Sequence, residues 1–213
     1  MEEFVYNKVS PEMIEAFQAI VPGKVYVNGD INEDYSHDEM PIYGKAMPEV
    51  VIDGTTTEDI AKIVKICYEN SVPVIPRGAG TGLTGAAVAL HGGVLIDMSK
   101  MNKILEYYME NMVVRVEPGV LLNDLAEDAR KKGLLYPPDP GEKFATLGGN
   151  VATNAGGMRA VKYGCTRDYV RAMTVVLPTG EIVKMGATVS KTSSGYSLLN
   201  LMIGSEGTLG IIT

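Results

Sequence analysis

The chain has 213 residues and 46% hydrophobic content, enough to bury a core as one large domain or as two small lobes. Its 19 basic and 26 acidic residues give a formal net charge of −7 without a basic block, which makes nucleic acid and anionic membranes poor partners. No apolar run approaches the length of a transmembrane segment, the N-terminus lacks a signal-peptide pattern, and two cysteines cannot make a disulfide framework, so we expect a soluble cytoplasmic protein.

Residues 1–47 are predicted to hold one helix followed by an irregular polar segment. Ser10 is a suitable helix cap, and Pro11 suits the first position of a helix that we expect to end near Ile20. The irregular segment, 26–47, contains the sequence Tyr-Ser-His-Asp-Glu at 35–39. Because adjacent residues do not converge on one reacting atom, we do not interpret this cluster as a catalytic triad, and we interpret its histidine as a loop residue.

A small parallel unit is predicted for residues 48–110. Strands are expected at 50–52, 72–76 and 94–97, with a helix over 57–70 between the first two. The helix carries one apolar face at helical spacing, formed by Ile60, Ile63, Val64 and Cys67. We therefore expect Cys67 to lie in the core and the unit to be a parallel sheet covered by helices.

Glycine recurs at positions 78, 80, 82 and 85, directly after Arg77, in the loop between the last two of these strands. Glycine has no Cβ and tolerates positive φ, so such a loop can turn its N–H groups onto a closely approaching anion. An arginine beside these donors is typical of phosphate binding. The loop is therefore predicted to hold the pyrophosphate of a cofactor.

The same loop matches the dinucleotide fingerprint G-x-G-x-x-G over residues 80–85. That fingerprint should open a full helix and meet an acidic residue about 20 positions later. Here only Ala86 to Leu90 precede the next turn, and Asp97 lies 12 positions after Gly85. We therefore disfavour nicotinamide binding on a Rossmann fold.

Residues 111–213 are predicted to form a second, mainly antiparallel lobe. A strand is expected at 113–117 and a helix at 121–132, with the turn Pro178-Thr179-Gly180 joining two strands of a hairpin. A short helix over 196–202 precedes a glycine turn and an apolar strand that runs to Thr213. Because a domain rarely ends on a bare apolar strand, we expect the chain to be part of a longer protein.

Two further segments lack a regular pattern. Residues 136–141 hold three prolines, and local sequence leaves a spacer and a site wall equally open. Residues 146–157 are small and uncharged, with two asparagines and two threonines. A flexible linker would be more polar, so the interleaved Leu147 and Val151 favour a packed wall with amide and hydroxyl groups directed at a ligand.

Four blocks now occur in order, at 76–83, 138–140, 147–157 and 204–210. Together they resemble the FAD-binding domain of the FAD-linked oxidase family (PCMH-type), in the branch of the glycolate oxidase FAD subunit and D-lactate dehydrogenase. The resemblance covers residues 50–213. It implies an α+β fold of two lobes, a small parallel βαβ lobe and a mainly antiparallel lobe, with FAD between them.

The resemblance also implies which residues contact FAD. The loop from Arg77 to Gly85 resembles the family's pyrophosphate loop, the segments near 139–157 resemble those lining the flavin and its phosphates, and Glu206 to Ile212 resembles the segment beside the adenine. Relatives that attach FAD covalently often carry histidine where this chain has Thr81, so the FAD is expected to be non-covalent. The implied cofactor-binding residues are Pro76, Arg77, Gly78, Ala79, Gly80, Thr81, Gly82, Leu83, Thr84, Gly85, Pro138, Asp139, Pro140, Thr146, Leu147, Gly148, Gly149, Asn150, Thr153, Asn154, Gly157, Glu206, Gly207 and Ile211.

The activity implied is oxidation of a small D-2-hydroxy acid, D-lactate or glycolate, with electrons passing to an electron-transferring flavoprotein, a cytochrome, another redox subunit or a quinone. Neither His37 nor His91 lies in a block that the family uses for catalysis, so we assign no catalytic base and no metal ligand. The resembling enzymes carry the base largely in a later substrate domain, which this chain lacks. Alternatives are a D-2-hydroxyglutarate dehydrogenase, a sugar-nucleotide reductase, and an electron-transfer or assembly subunit that is not catalytic alone.

Overall fold

The computed structural model describes residues 5–189 and 191–213. The first four residues, which entered the signal-peptide argument, lie outside this range. The helices are α1 (Pro11–Ile20), α2 (Thr57–Glu69), α3 (Leu122–Lys131), α4 (Leu147–Thr153), α5 (Ala160–Tyr163) and α6 (Leu198–Met202). The strands are β1 (Val25–Val27), β2 (Val50–Asp53), β3 (Val74–Arg77), β4 (Val94–Asp97), β5 (Ile104–Tyr108), β6 (Val113–Val116), β7 (Ala172–Val176), β8 (Ile182–Gly186) and β9 (Ile211–Ile212).

The first lobe contains the predicted parallel unit. Its sheet has the order β1-β2-β4-β3, in which β2 and β3 both run parallel to β4. The strand β1, which pairs antiparallel with β2, was not predicted, and the irregular segment proposed from Tyr26 onward is wrong at its start. A strand of three residues is too short to show an alternating pattern.

The core of this lobe lies between the sheet and α2. All four residues of the predicted apolar face of α2 are buried, and Cys67 has no exposed surface, as predicted. The same cluster includes Phe17 of α1, and also Val176 of β7 and Ile211 of β9. The antiparallel strands β7 and β9 therefore contribute to the core of the first lobe, while a second apolar cluster, with Leu122 and Leu125 of α3 and Leu147 of α4, forms the core of the second lobe.

The second lobe is mainly antiparallel, as predicted. Strands β5 and β6 form a two-stranded hairpin, while β7 pairs with β8 on one side and β9 on the other. The predicted hairpin turn lies between β7 and β8, with Gly180 at φ +84°. The boundary proposed between the lobes at residue 110 falls in the turn of the first hairpin, and the domain limits remain a prediction.

Two connections position the site. No helix lies between β3 and β4, which agrees with the argument against a Rossmann unit. The segment predicted as a wall is largely the helix α4, whose cap is Thr146: its Oγ1 accepts the amide of Gly149 at 3.3 Å.

Among the described residues, no helix is both long and apolar enough to cross a bilayer.

Candidate functional site

A cavity of about 590 Å³ opens between the glycine loop, the segment around α4 and the turn before β9. This volume is typical of a small-molecule site. Most of the predicted cofactor residues line it: Pro76, Arg77, Gly78, Ala79, Gly80, Thr81, Gly82, Leu83, Thr84, Pro140, Thr146, Gly148, Gly149, Asn150, Thr153, Asn154, Gly157, Glu206, Gly207 and Ile211. Four do not: Gly85, Pro138, Asp139 and Leu147.

The glycine loop offers free backbone donors to this cavity. Within residues 5–189 and 191–213, the amide groups of residues 78–83 have no hydrogen-bond acceptor. Gly80 has φ +74°, a conformation that side chains disfavour. A loop whose successive amides are unpaired and partly exposed can bind a phosphate group through those amides.

The loop packs directly on the cap of α4. A Cβ on Gly78 would lie 2.1 Å from Oγ1 of Thr146, so only glycine fits there. The helix is placed in turn by Gly148, whose amide donates to the carbonyl of Pro118 at 2.7 Å. Asn150 is buried at 4% exposure, and its side-chain amide makes no hydrogen bond to any described residue, which leaves it for a ligand.

Arg77 lies beneath the loop, where its guanidinium donates to backbone. It donates to the carbonyl oxygens of His37 at 2.6 Å, Asp34 at 2.8 Å and Ala87 at 3.4 Å. Burial lowers the pKa of Arg77, an effect opposed first by the negative charge of Asp97. Through these contacts Arg77 holds the loop in place. Direct neutralisation of a phosphate by Arg77 remains a prediction.

The two lobes meet across the mouth of the cavity. Thr84, at the end of the loop, donates its hydroxyl to the carboxylate of Glu206 at 2.5 Å. The turn that carries Glu206 is fixed to α4, because the amide of Glu206 donates to the carbonyl of Ala152 at 2.9 Å. A further cavity of about 400 Å³ continues between this turn and β3.

The four predicted residues away from the cavity have identifiable contacts. The amide of Gly85 donates to Asp38, and Leu147 packs in the core of the second lobe with Leu125. Pro138 is buried, and the carboxylate of Asp139 pairs with Arg159 at 3.3 Å. The proline-rich segment thus supports the wall, which it reaches only through Pro140.

Sequence reasoning missed Asp38, which lines the cavity at 6% exposure. In the sequence, Asp38 is distinguished only by its place in the polar cluster 35–39, and that cluster predicts a loop. Neither histidine lines the cavity. His37 offers its carbonyl to Arg77, and the ring of His91 packs against Tyr6 with centroids 5.3 Å apart.

Two lobes around a cavity walled by free amides define a dinucleotide-binding domain of non-Rossmann type. In agreement, residues 48–186 match the family described as FAD binding domain. The chain belongs to this FAD-linked oxidase family of PCMH type, which confirms the predicted family, the two-lobed α+β fold and FAD as the cofactor.

The relatives agree with this assignment. The chain is 74% identical over 213 residues to a D-lactate dehydrogenase of Anaerostipes hadrus, covering 100% of this chain and 45% of that protein. It is 46% identical over 180 residues to the glycolate oxidase subunit GlcD of Bacillus subtilis, covering 84% of this chain and 38% of that protein. The chain thus spans less than half the length of these relatives.

A solved structure shows the same fold. The crystal structure of p-cresol methylhydroxylase with substrate bound superposes with a TM-score of 0.82 at 25% identity, over 98% of this chain and 44% of that one. The likeness extends through both lobes, including the N-terminal segment that precedes the family match.

Proposed function

We propose that this chain is the FAD-binding portion of a flavin-dependent D-2-hydroxy acid dehydrogenase, acting on D-lactate or glycolate. The observation that carries the proposal is the convergence of all four sequence blocks on one cavity, in a chain 74% identical to a D-lactate dehydrogenase. FAD held by the residues that line this cavity would supply the hydride acceptor for oxidation at the α-carbon of the hydroxy acid, and a protein acceptor or a quinone would receive the electrons.

The residues present fit a dinucleotide diphosphate. The unpaired amides of residues 78–83 supply donors, and the missing side chain at Gly78 permits close approach to the cap of α4. The side chain of Asn150 can donate or accept at the wall. Thr81 lacks the nucleophilic nitrogen through which a histidine could attach flavin, so we propose that the FAD is dissociable.

The test has two stages. The purified protein should be yellow, and acid precipitation should release free FAD; colourless protein that takes up no FAD contradicts the proposal. Dye reduction by the full-length protein should then be fastest with D-lactate or glycolate in a panel that includes D-2-hydroxyglutarate and NADPH. Preference for NADPH would instead indicate a reductase.

One observation favours a second candidate, a flavin-carrying electron-transfer subunit that acts only with a partner. In the described part of the chain, four charged residues line the cavity, namely Asp38, Arg77, Glu142 and Glu206. No histidine of this part lines it. A base near neutral pKa for the substrate hydroxyl is therefore not provided by these residues. If this chain alone oxidises D-lactate at an enzymatic rate, the electron-transfer candidate fails.

We also propose a cytoplasmic location. In support, Cys67 and Cys165 are both unpaired thiols, as suits a reducing compartment. Periplasmic or organellar protein in a fractionation experiment would contradict this part of the proposal.

A further inference from the structure

Residues 34–39, here called the clasp, hold the glycine loop at three points. Upstream of the loop, Arg77 donates to the carbonyls of Asp34 and His37. In the middle, the amide of Glu39 donates to the carbonyl of Gly82 at 3.1 Å. The clasp is separated from the loop by about 40 residues in sequence, so these are tertiary contacts.

The third point is the carboxylate of Asp38. One oxygen, Oδ2, accepts the amide of Gly85 at 2.8 Å, and the other, Oδ1, accepts the amide of Met40 at 2.8 Å. Both oxygens of this buried group thus accept hydrogen bonds, one from Met40, directly after the clasp, and one from the loop. Asp38 is the residue through which the clasp fixes the last glycine of the loop.

The clasp is itself fixed to the sheet. The hydroxyl of Tyr35 donates to Oδ2 of Asp97 at 2.8 Å, and the guanidinium of Arg77 lies 5.8 Å from the Tyr35 ring. Asp97 stands opposite Arg77 in the register of β3 and β4. The loop is therefore held between a rigid sheet and a segment that the sheet positions.

This arrangement affects FAD affinity because the amides of residues 78–83 donate no hydrogen bond to any residue that the structure describes. A loop without internal bonds must be ordered when it binds, and that ordering weakens binding. Contacts that order the loop beforehand remove this cost from the binding step.

We propose that Asp38 is a positioning residue of the cofactor site, which holds the Gly85 amide so that the glycine loop is ordered before the cofactor binds. This inference rests on the proposed function, because it takes FAD as the ligand of the loop. Asp38 itself makes no contact with the ligand in this proposal.

The charge of Asp38, considered alone, predicts the opposite change in FAD affinity. Asp38 carries a negative charge in the lining of a cavity that receives a diphosphate, so removal of that charge should tighten FAD binding. Loss of the Gly85 contact should weaken it. The direction of the change therefore separates positioning from a simple charge effect.

The experiment compares FAD affinity in the wild-type chain, Asp38→Asn and Glu33→Gln, by quenching of flavin fluorescence. The side chain introduced by Asp38→Asn would present an NH₂ group to one of two amide donors, so we expect the Kd to rise at least about tenfold. Glu33→Gln removes the same charge next to the clasp and loses only a surface ion pair with Lys45, so its Kd should stay within about twofold of wild type. Equal or tighter binding by Asp38→Asn overturns the proposal.

Hydrogen exchange of the FAD-free wild-type chain keeps the proposal testable if Asp38→Asn does not fold. The Gly85 amide should exchange more slowly than the unpaired amides of residues 79–83. Its exchange should become faster in Tyr35→Phe, which removes the hydroxyl that fixes the clasp to Asp97. A Gly85 amide that exchanges as fast as its neighbours contradicts the proposal. Absence of FAD binding by the wild type would instead reject the proposed function, while leaving the exchange result interpretable.

Discussion

Gly78 and Thr146 join the glycine loop to the helix that faces it. The site that a β-carbon on Gly78 would occupy lies 2.1 Å from Thr146 Oγ1 and 3.3 Å from its Cβ. Thr146 cannot retreat freely, because the same hydroxyl accepts the amide of Gly149 and caps α4. The spacing between loop and helix is therefore set by the absence of one methyl group.

Gly78→Ala should lower FAD affinity. The added methyl group must push Thr146 and the loop apart, an overpacking that costs about 1–3 kcal/mol in a close-packed interior. We expect the Kd for FAD to rise about tenfold, measured by fluorescence titration. Gly29→Ala is the control, because Gly29 lies outside the loop and its Cβ would meet nothing within 4 Å. Equal losses in both variants would show that the Thr146 contact is not the cause.

Arg77→Met should destabilise the FAD-free protein. It removes the donor from the partly buried carbonyls of His37, Asp34 and Ala87, and hydrogen bonds that involve a charged group contribute about 1.5–3 kcal/mol each. We expect the free energy of unfolding in urea to fall by about 3 kcal/mol.

The control for this experiment is Arg171→Met, since Arg171 is exposed and such surface changes stay within about 0.5 kcal/mol. If Arg77→Met leaves the unfolding midpoint unchanged and abolishes only FAD binding, Arg77 acts on the phosphate and not on the loop.

The buried thiol of Cys67 should resist alkylation in the folded protein. Burial raises the pKa of Cys67 to about 12, so at pH 8 only about one thiol in ten thousand is thiolate. Because the pKa is raised, the reactive fraction grows only as pH approaches 12. Mass spectrometry after treatment with a maleimide should show a single adduct on the half-exposed Cys165. Protein unfolded in urea should carry two maleimide adducts. Rapid labelling of Cys67 without urea would contradict the burial of its thiol.

Elements with a local signal were predictable from the sequence. The spacing of Ile60, Ile63 and Cys67 identified the buried face of α2, and Pro178-Thr179-Gly180 identified the hairpin turn. The glycine loop was predictable too, because few residue types other than glycine permit its backbone.

Elements that depend on tertiary contacts were not predictable. Two glycines, Gly148 and Gly149, disfavour a helix by about 1 kcal/mol each, and α4 forms there because Thr146 caps it and Pro118 accepts the amide of Gly148. The polar cluster that contains Asp38 predicts only a loop, because the partner of Asp38, Gly85, is 47 residues away.

The affinity for FAD should depend only weakly on salt. Arg77 is the one cation among the cavity-lining residues of the described chain, and the nearby charges of Asp97, Asp38 and Asp34 offset it. Binding of the diphosphate then rests on neutral amides, whose hydrogen bonds are little screened by ions. Between about 50 mM and about 500 mM NaCl, where the Debye length falls from roughly 14 Å to roughly 4 Å, we expect the Kd to change less than about threefold.

The same titration in sodium sulfate would reveal competition for the loop by a divalent anion, which should weaken FAD binding more than chloride does. A steep, tenfold or greater loss in NaCl would mean that a cation neutralises the phosphates, and Arg77 would be the residue to test.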